Sequence, residues 1–457
     1  MSIDTAIEAL STLLGQRLSR SKSDLDQHGT SETHFALTPP DAVAYPANTE
    51  EVSEIVKICA AHGCPVVGFG AGTSLEGQTL AVQGGVVVDF RDMAAVLHVG
   101  AEDMDVTVQP GITREVLNEE LRATGLMFPV DPGANASIGG MASTRASGTT
   151  AVRYGTMRDN VLGLEVVLAD GRIIQTGTRA RKSAAGYDLT ALFVGAEGTL
   201  GLITALTLRL QGQPEAVTSA VCAFDDIEAA VSAVQMTIQM GIPMARIEFV
   251  DAATVAAVNA YSKMDLPLCP HLLIEFHGSE TAVEEQATLF GEVVEEFGAK
   301  GFEWAKKAEE RKALWTMRHH AYWAIVQSRK GCKALVTDIC VPISKLAEAV
   351  EQTRADIAAS PIEGPILGHV GDGNFHAILL FDESNEGEVQ AAHDLSHQMV
   401  ERALALGGTA TGEHGIGMGK KKYMRAEHGA AWDVMGDIKQ ALDPQNLMNP
   451  GKLVRGN

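Results

Sequence analysis

Three histidines and one glutamate, set in two short glycine-rich segments, are the residues of this chain best suited to chemistry. His369 and His376 are the second and last residues of the segment Gly-His-Val-Gly-Asp-Gly-Asn-Phe-His, and Glu413 and His414 are adjacent further along. Imidazole and carboxylate groups are common ligands of zinc, and a mixed nitrogen and oxygen set also suits manganese. The pattern therefore predicts a divalent-metal site, with four polar residues in ordinary turns as the alternative.

The backbone of these segments limits how the four side chains can point. Gly368, Gly371 and Gly373 disfavour a helix, so a strand, a tight turn and a second strand are predicted there. In extended backbone, neighbouring side chains point to opposite sides. We therefore expect only one of Glu413 and His414 to bind the metal and the other to transfer a proton.

The first half of the chain has the pattern of a βαβ unit around a glycine-rich loop. A helix is predicted over Thr49 to His62, with strands at Pro65 to Gly68 and at Val86 to Asp89. The loop from Gly68 to Gly77 offers backbone N–H groups that could bind phosphate oxygens. The dinucleotide pattern Gly-x-Gly-x-x-Gly nearly fits, but Thr73 replaces its third glycine, so that alternative is weak.

A second glycine-rich region, from Asp131 to Gly148, lies in the same half. Two separated phosphate-type loops indicate one large cofactor. A first domain boundary is predicted at Gln211 to Glu215, where a glycine and a proline end a run of strands. Helices with an antiparallel sheet are predicted after it, so the whole chain is expected to be α+β.

Size and charge restrict the class of protein. A chain of 457 residues is too long for one core, and two or three domains are expected. The formal net charge of −22 argues against a nucleic-acid partner. No apolar run reaches the roughly 18 residues of a membrane span, and no signal-peptide pattern is present, so we expect a cytoplasmic protein. Six cysteines without a Cys-x-x-Cys pair argue against an iron–sulfur or disulfide framework.

Seven motifs, in order from about Pro39 to Leu453, together resemble one family: the FAD-dependent D-2-hydroxy-acid dehydrogenases of the vanillyl-alcohol-oxidase superfamily. The resemblance is greatest to the cytochrome-type D-lactate dehydrogenase branch. The motifs are Gly70-Ala71-Gly72-Thr73-Ser74, Asp131-Pro132-Gly133, Arg153-Tyr154-Gly155, Glu197-Gly198-Thr199-Leu200-Gly201, His369 to His376, Glu413-His414 and Asn449-Pro450-Gly451-Lys452.

The resemblance implies an α+β fold with a two-subdomain FAD-binding domain and a substrate domain of antiparallel sheet and covering helices. We accordingly predict four segments. They are an N-terminal helical segment at 1–37, the FAD-binding domain at 38–213, the substrate domain with the metal site at 214–425, and a C-terminal segment returning to the FAD domain at 426–457.

FAD is expected to bind noncovalently, because relatives that attach flavin covalently carry a histidine where this chain has Thr73. The family's FAD contacts are carried over by position in the motifs. They fall on Gly70, Ala71, Gly72, Thr73, Ser74, Pro132, Ile138, Gly139, Gly140, Ser143, Ser147, Gly148, Tyr154, Gly155, Glu197, Gly198, Ile203 and Asn449.

The resemblance also assigns roles in the reaction. A D-2-hydroxy acid would be oxidised to the 2-oxo acid, with hydride transfer from Cα to flavin N5. His369, His376 and Glu413 would bind zinc or manganese, and His414 would act as the base. Arg318, Tyr322 and Lys333 would contact the substrate.

Several alternatives stay open at this point. Tyr322 stands where the branch that takes larger diacids has threonine, which favours D-lactate or a similar monoacid over D-2-hydroxyglutarate, and glycolate is a further alternative. The electron acceptor could be a cytochrome, an electron-transfer flavoprotein or a quinone, and a homodimer is the expected oligomer. A metal-dependent hydrolase is the alternative of a different class, but it leaves both phosphate-type loops unexplained. A third hypothesis of function is a subunit that binds flavin and metal but has no catalytic activity.

Overall fold

The structure is a computed structural model that describes residues 2–31, 33, 35–180, 182–305 and 307–455. It divides into two compact units. The first comprises Met1–Ser147, Gly155–Gln213 and Glu413–Asn457, and the second comprises Gly148–Tyr154 and Pro214–Gly412.

The unit bounds differ from the predicted domain ranges at three places. The returning segment begins at Glu413 rather than at 426, and Gly148–Tyr154 belongs to the second unit. This short stretch contains the helix Ala151–Tyr154, which packs on the strand Met244–Val250. The predicted N-terminal segment is part of the first unit, because the helix Ile3–Leu14 buries Ala6, Ile7, Leu10 and Leu14 in its core.

A small, mainly parallel sheet carries the first glycine-rich loop. Its strands, in order, are Leu18–Ser19, Ala42–Ala44, Val86–Asp89 and Val66–Phe69, and the last three are parallel. The helix Thr49–His62 matches its predicted bounds. It begins after Asn48, whose side chain accepts from Glu51 N, and ends at Gly63 in the left-handed conformation.

An antiparallel sheet forms the other half of the first unit. Its strands, in order, are Val96–Gly100, Asp105–Val108, Leu202–Arg209, Val161–Val167 and Ile173–Gln175, and Leu126–Met127 pairs separately with Gln211–Gly212. The other α-helices of this unit are Lys22–His28, Arg114–Leu121, Ile138–Thr144, Met157–Asn160, Leu189–Phe193, Met424–His428 and Ala431–Leu442.

The second unit is an eight-stranded antiparallel sheet with covering helices, which confirms the predicted α+β class. Its path runs through Lys300–Ala305, Ala216–Ala223, His271–Gly278, Met244–Val250, Ile366–Gly368, Asn374–Phe381 and Lys333–Val336, with Ile339–Cys340 also paired to Asn374–Phe381. Besides Ala151–Tyr154, its α-helices are Ile227–Gln239, Ala252–Ser262, Glu280–Glu296, Ala308–Ser328, Leu346–Ala358 and Glu386–Ala405. Among the helices of the described residues, none is long and apolar enough to cross a membrane.

Candidate functional site

A cavity of about 300 Å³ lies in the first unit, at the end of the strand Val66–Phe69. Its walls come from the loop that follows this strand, from residues 132–147 and from residues 197–203. The lining is completed by Phe90, Pro110, Glu413, His414 and Asn449. The two glycine-rich regions of the sequence therefore face one space.

Close backbone approach explains why glycines are needed in this wall. A Cβ on Gly70 would collide with Ser137 Oγ, which also accepts a hydrogen bond from Ala71 N at 3.2 Å. A Cβ on Gly139 would collide with Pro110. The second glycine-rich region begins the helix Ile138–Thr144, so the prediction of a second loop is wrong at these residues.

Two buried hydroxyls in the wall make no hydrogen bond to the residues that the structure describes. Ser74 Oγ and Thr79 Oγ1 are buried without a hydrogen bond within the part of the chain that the structure describes, and both residues line the cavity. Buried hydroxyls are normally hydrogen-bonded, so these two point to a polar ligand. Phosphate oxygens of FAD would satisfy them, and the residues present therefore fit that cofactor.

Fourteen of the eighteen predicted FAD residues line the cavity, and four do not. The side chain of Ile138 is buried in the apolar core of the first unit. Gly148 and Tyr154 belong to the second unit, where Tyr154 Oη bonds His277 Nδ1 at 2.8 Å. Gly155 has a positive φ and lies beside Asp159.

Glu197 ties the cavity wall to the returning segment. Its carboxylate accepts from the N–H groups of Ile416 at 2.6 Å and Gly417 at 2.8 Å. Burial raises the pKa of Glu197 to about 7, although those two N–H groups and the charge of Lys452 lower it. The hydrogen bonds fix the chain just beyond Glu413 and His414.

Asn449 joins two other parts of the wall. Its Nδ2 donates to the carbonyl oxygens of Gln78 at 2.9 Å and Glu197 at 2.7 Å. Gln78 Nε2 in turn donates to the His414 carbonyl at 2.7 Å. Sequence reasoning missed Gln78, and its position directly after the predicted loop was the only signal.

Glu413 and His414 both line the cavity, but the backbone bends at these two residues instead of being extended. His414 Nε2 lies 3.8 Å from Glu413 Oε1, so the prediction that the two side chains point to opposite sides is wrong. Glu413 Oε2 also accepts from Ser147 Oγ at 3.2 Å. An imidazole and a carboxylate thus stand together in the wall of the cavity.

The second unit contains a separate cluster around Glu248. This glutamate is fully buried in the strand Met244–Val250. Its Oε2 accepts from Arg318 Nη2 at 2.6 Å, and its Oε1 accepts from His369 Nδ1 at 2.6 Å. One carboxylate therefore connects the predicted substrate arginine with a predicted metal ligand.

His369 and His376 are oriented in the same way. His376 Nδ1 donates to the Thr337 carbonyl at 2.8 Å, and His369 Nδ1 donates to Glu248. Because a carbonyl and a carboxylate only accept hydrogen bonds, both rings carry a proton on Nδ1, and in the neutral form of each ring the lone pair is on Nε2. Their ring centroids are 5.6 Å apart, and the two residues offer ring nitrogens within 4.8 Å of each other. This donor pair fits a zinc or manganese ion.

The two other predicted substrate contacts, Tyr322 and Lys333, make none of the hydrogen bonds described above for the Glu248 cluster. Tyr322 packs against an apolar cluster of the second unit, with its ring centroid 5.1 Å from that of Trp323. Lys333 is exposed and lies 3.6 Å from Glu383. Thr337, whose carbonyl accepts from His376, follows Lys333 by four positions, or roughly 13 Å along a strand. The structure therefore does not place Lys333 beside His376. Of the predicted metal ligands, Glu413 belongs to the first unit and the two histidines to the second.

Two protein-family models match the chain. The model described as "FAD linked oxidases, C-terminal domain" matches residues 213–453, and the one described as "FAD binding domain" matches residues 40–177. The second match confirms the prediction of FAD.

The chain is also similar in sequence to two known proteins and in fold to one solved structure. The chain is 51% identical to the probable mitochondrial D-lactate dehydrogenase of Danio rerio, over 94% of this chain and 87% of the relative. It is 44% identical to the mitochondrial D-lactate dehydrogenase [cytochrome] of Arabidopsis thaliana, over 98% of this chain and 80% of the relative. Substrate-bound p-cresol methylhydroxylase has the same fold, with a TM-score of 0.77, 16% identity, and coverage of 98% of this chain and 96% of that one.

The comparisons also correct one prediction. Both relatives are described as mitochondrial, so the prediction of a cytoplasmic protein is wrong. Composition and the lack of a signal-peptide pattern do not distinguish these two locations.

Proposed function

Because the chain belongs to the FAD-linked oxidases of the vanillyl-alcohol-oxidase and p-cresol-methylhydroxylase superfamily, and is an FAD-dependent oxidoreductase, we propose that it oxidises D-lactate to pyruvate. One observation carries the proposal: His414, a group able to accept a proton, lines the same cavity as the glycine-rich wall. Both relatives described above are named D-lactate dehydrogenases, which supports the substrate.

The wall residues would hold FAD noncovalently. The glycines at 70, 72, 139 and 140 allow the backbone to approach the cofactor, and the hydroxyls of Ser74 and Thr79 would bond its phosphates. When bound, FAD supplies at N5 the acceptor for the hydride that leaves the substrate Cα.

His414 is the proposed base. Oxidation of a 2-hydroxy acid removes the hydroxyl proton as well as the Cα hydride, and the imidazole accepts that proton. Gln78 holds the backbone of His414, while Glu197 holds the two residues at 416 and 417. These hydrogen bonds hold the backbone that carries the imidazole, and a general base must be positioned within reach of its proton.

Arg318 is the proposed ligand of the substrate carboxylate. Its side chain is nine-tenths buried, and its Nε has no acceptor among the described residues. A guanidinium with an unpaired buried N–H is suited to a carboxylate. Tyr322 would lie one helical turn away on the same face, whereas Lys333, which is exposed near Glu383, is no longer part of the proposal.

We propose His369, His376 and Glu413 as ligands of a zinc or manganese ion. The oriented Nε2 atoms of the two histidines support this assignment. A metal bound there would supply a Lewis acid that eases loss of the substrate's hydroxyl proton.

A cytochrome is the proposed electron acceptor, since the name of the Arabidopsis thaliana relative contains that word. Glycolate and D-2-hydroxyglutarate are the alternative substrates within the family. A hydrolase would leave the cavity and its unpaired hydroxyls without a function.

The test is the visible spectrum of the purified, metal-loaded protein without oxygen, before and after each acid is added. We expect D-lactate to bleach the flavin band and L-lactate to leave it unchanged. Bleaching by D-2-hydroxyglutarate or glycolate alone would replace the proposed substrate. A flavin band that none of these acids bleaches would contradict the proposed reaction.

A further inference from the structure

We infer that Glu248 is a positioning residue, whose single buried carboxylate holds both the metal-binding ring of His369 and the guanidinium of Arg318. The inference rests on the proposed function, because the roles of those two residues come from it. Glu248 itself lies in none of the motifs that carried the resemblance. Its assignment depends on the structure of the second unit alone.

Three separate elements meet at this carboxylate. In the sheet, Phe249 pairs with Gly368, so the strand register brings Glu248 beside His369. The covering helix Ala308–Ser328 supplies Arg318. Glu248 is completely buried and uses both carboxylate oxygens, one for each partner, at 2.6 Å. A buried carboxylate is stable only with such partners.

The bond to His369 affects how that ring binds a metal. Because an ionised Glu248 can only accept, a proton stays on Nδ1, and the neutral ring then has its lone pair on Nε2. A carboxylate partner also makes the imidazole a stronger donor to a cation. Removing such a partner typically weakens metal binding by about 10- to 100-fold.

The bond to Arg318 fixes the plane of the guanidinium. Nη2 is used by Glu248, and Nε remains without an acceptor among the residues that the structure describes. A charge-assisted bond of this kind is strong and directional. Arg318 therefore keeps one orientation before any substrate arrives, which reduces the entropy lost on binding.

Glu275 provides a matched control on the same sheet. It pairs with Arg246 across the strand Met244–Val250, so it shares the sheet face of Glu248, and it is also buried. Its partners differ: it accepts from Ser219 Oγ at 2.9 Å and bonds His277 Nε2 at 2.9 Å. The substitutions Glu248→Gln and Glu275→Gln each remove one buried carboxylate, but only the first removes a partner of His369.

The experiment measures the Zn²⁺ affinity of the FAD-loaded enzyme by competition with a chromogenic chelator. We expect Glu248→Gln to bind Zn²⁺ about 10- to 100-fold more weakly than the unchanged enzyme. We expect Glu275→Gln to bind within twofold of it. For Glu248→Gln, the KM for D-lactate should also rise, because Arg318 loses its fixed orientation.

A second pair of variants protects the test against misfolding, since Glu248→Gln leaves Arg318 charged and buried. Arg318→Met is compared with the double variant Glu248→Gln/Arg318→Met. Neither variant contains an unpaired arginine at position 318. The difference between their Zn²⁺ affinities therefore isolates the effect of the bond between Glu248 and His369. The double variant should again bind Zn²⁺ at least 10-fold more weakly.

The outcomes separate this inference from the proposed reaction. Equal Zn²⁺ affinity in Glu248→Gln and the unchanged enzyme would overturn the inference. An equal loss of Zn²⁺ affinity in Glu248→Gln and Glu275→Gln would overturn it as well. An unchanged enzyme that binds no Zn²⁺ would overturn it together with the metal site. If Glu248→Gln alone weakens Zn²⁺ binding while no hydroxy acid bleaches the flavin, the inference holds and the proposed reaction fails.

Discussion

The cavity of the first unit and the Glu248 cluster of the second are built in different ways. The cavity wall is rich in glycines, and at Gly70 and Gly139 a side chain would collide with neighbouring atoms. The cluster is made of polar side chains, with the Glu248 carboxylate between Arg318 and His369. We therefore expect the first region to depend on shape and the second on the charges and hydrogen bonds of its side chains.

This difference decides which kind of substitution each region tolerates. An added methyl group should damage the cavity, whereas the cluster should be most sensitive to a lost charge or donor. If an added methyl group had no effect in the cavity, or a lost charge or donor had none in the cluster, this distinction between the two regions would be wrong.

The largest effect is expected for His414→Ala, because it removes the proposed base. Turnover should fall by about 10²-fold or more while FAD stays bound. Anaerobic stopped-flow reduction of the flavin by D-lactate, together with the ratio of flavin to protein, measures both quantities. His98→Ala, at an exposed position of the same unit, is the control and should leave turnover unchanged. Near-normal turnover in His414→Ala would rule out its role.

Gly70→Ala tests the importance of shape in the cavity. The new Cβ collides with Ser137 Oγ, and relieving such a collision costs about 1–3 kcal/mol. If the loop moves, this cost corresponds to roughly a 5- to 150-fold weaker FAD affinity. Fluorescence titration of the apoprotein with FAD gives the affinity. Gly212→Ala, whose Cβ meets nothing within 4 Å, should have no effect. If adding Ser137→Ala fails to restore any affinity, the collision is not the cause.

Arg318→Lys tests the importance of donor geometry in the cluster. Lysine keeps the charge opposite Glu248 but lacks the planar fork, so the KM for D-lactate should rise by about 10-fold with little change in FAD content. Steady-state kinetics across several monoacids measures the effect. Arg354→Lys, on the exposed surface of the helix Leu346–Ala358, serves as the comparison. An unchanged KM for every monoacid would contradict the assignment of Arg318.

The smallest effect concerns the pH dependence of stability through Glu197. Burial raises the pKa of Glu197 to about 7 from its usual 4.5. Ionisation is therefore easier in the unfolded chain, and the folded enzyme loses stability as the pH rises from about 4.5 to about 7. Glu197→Gln lacks this loss, so its Tm relative to the unchanged enzyme should increase across that window and level off above it. Thermal melts at a series of pH values measure this, and a constant difference in Tm would be the opposing result.

Local patterns were enough to predict much of the fold. Periodicity predicted the helix Thr49–His62, and the glycines located both parts of the cavity wall. These features depend on residues that are near each other in the chain, so the sequence shows them directly.

Features that depend on distant pairing were not predictable in this way. Glu248 stands in a strand between apolar residues, and only the pairing of Phe249 with Gly368 shows that it meets His369. The bend at Glu413 and His414 is held by hydrogen bonds to Glu197 and Gln78, which are far away in sequence. A propensity-based prediction cannot include such bonds, and it assigned an extended backbone instead.

The contribution of Asn449 to the cavity wall has a consequence for synthesis of the protein. Glu413, His414 and Asn449 are translated long after the glycine-rich wall that they complete. On the ribosome, the early strands can fold and the second unit can emerge while the wall is still unfinished. A nascent chain that stalls before Asn449 would expose the two unpaired hydroxyls and the glycine backbone to water. We therefore expect complete loading of the cofactor only after the last of these residues has left the exit tunnel.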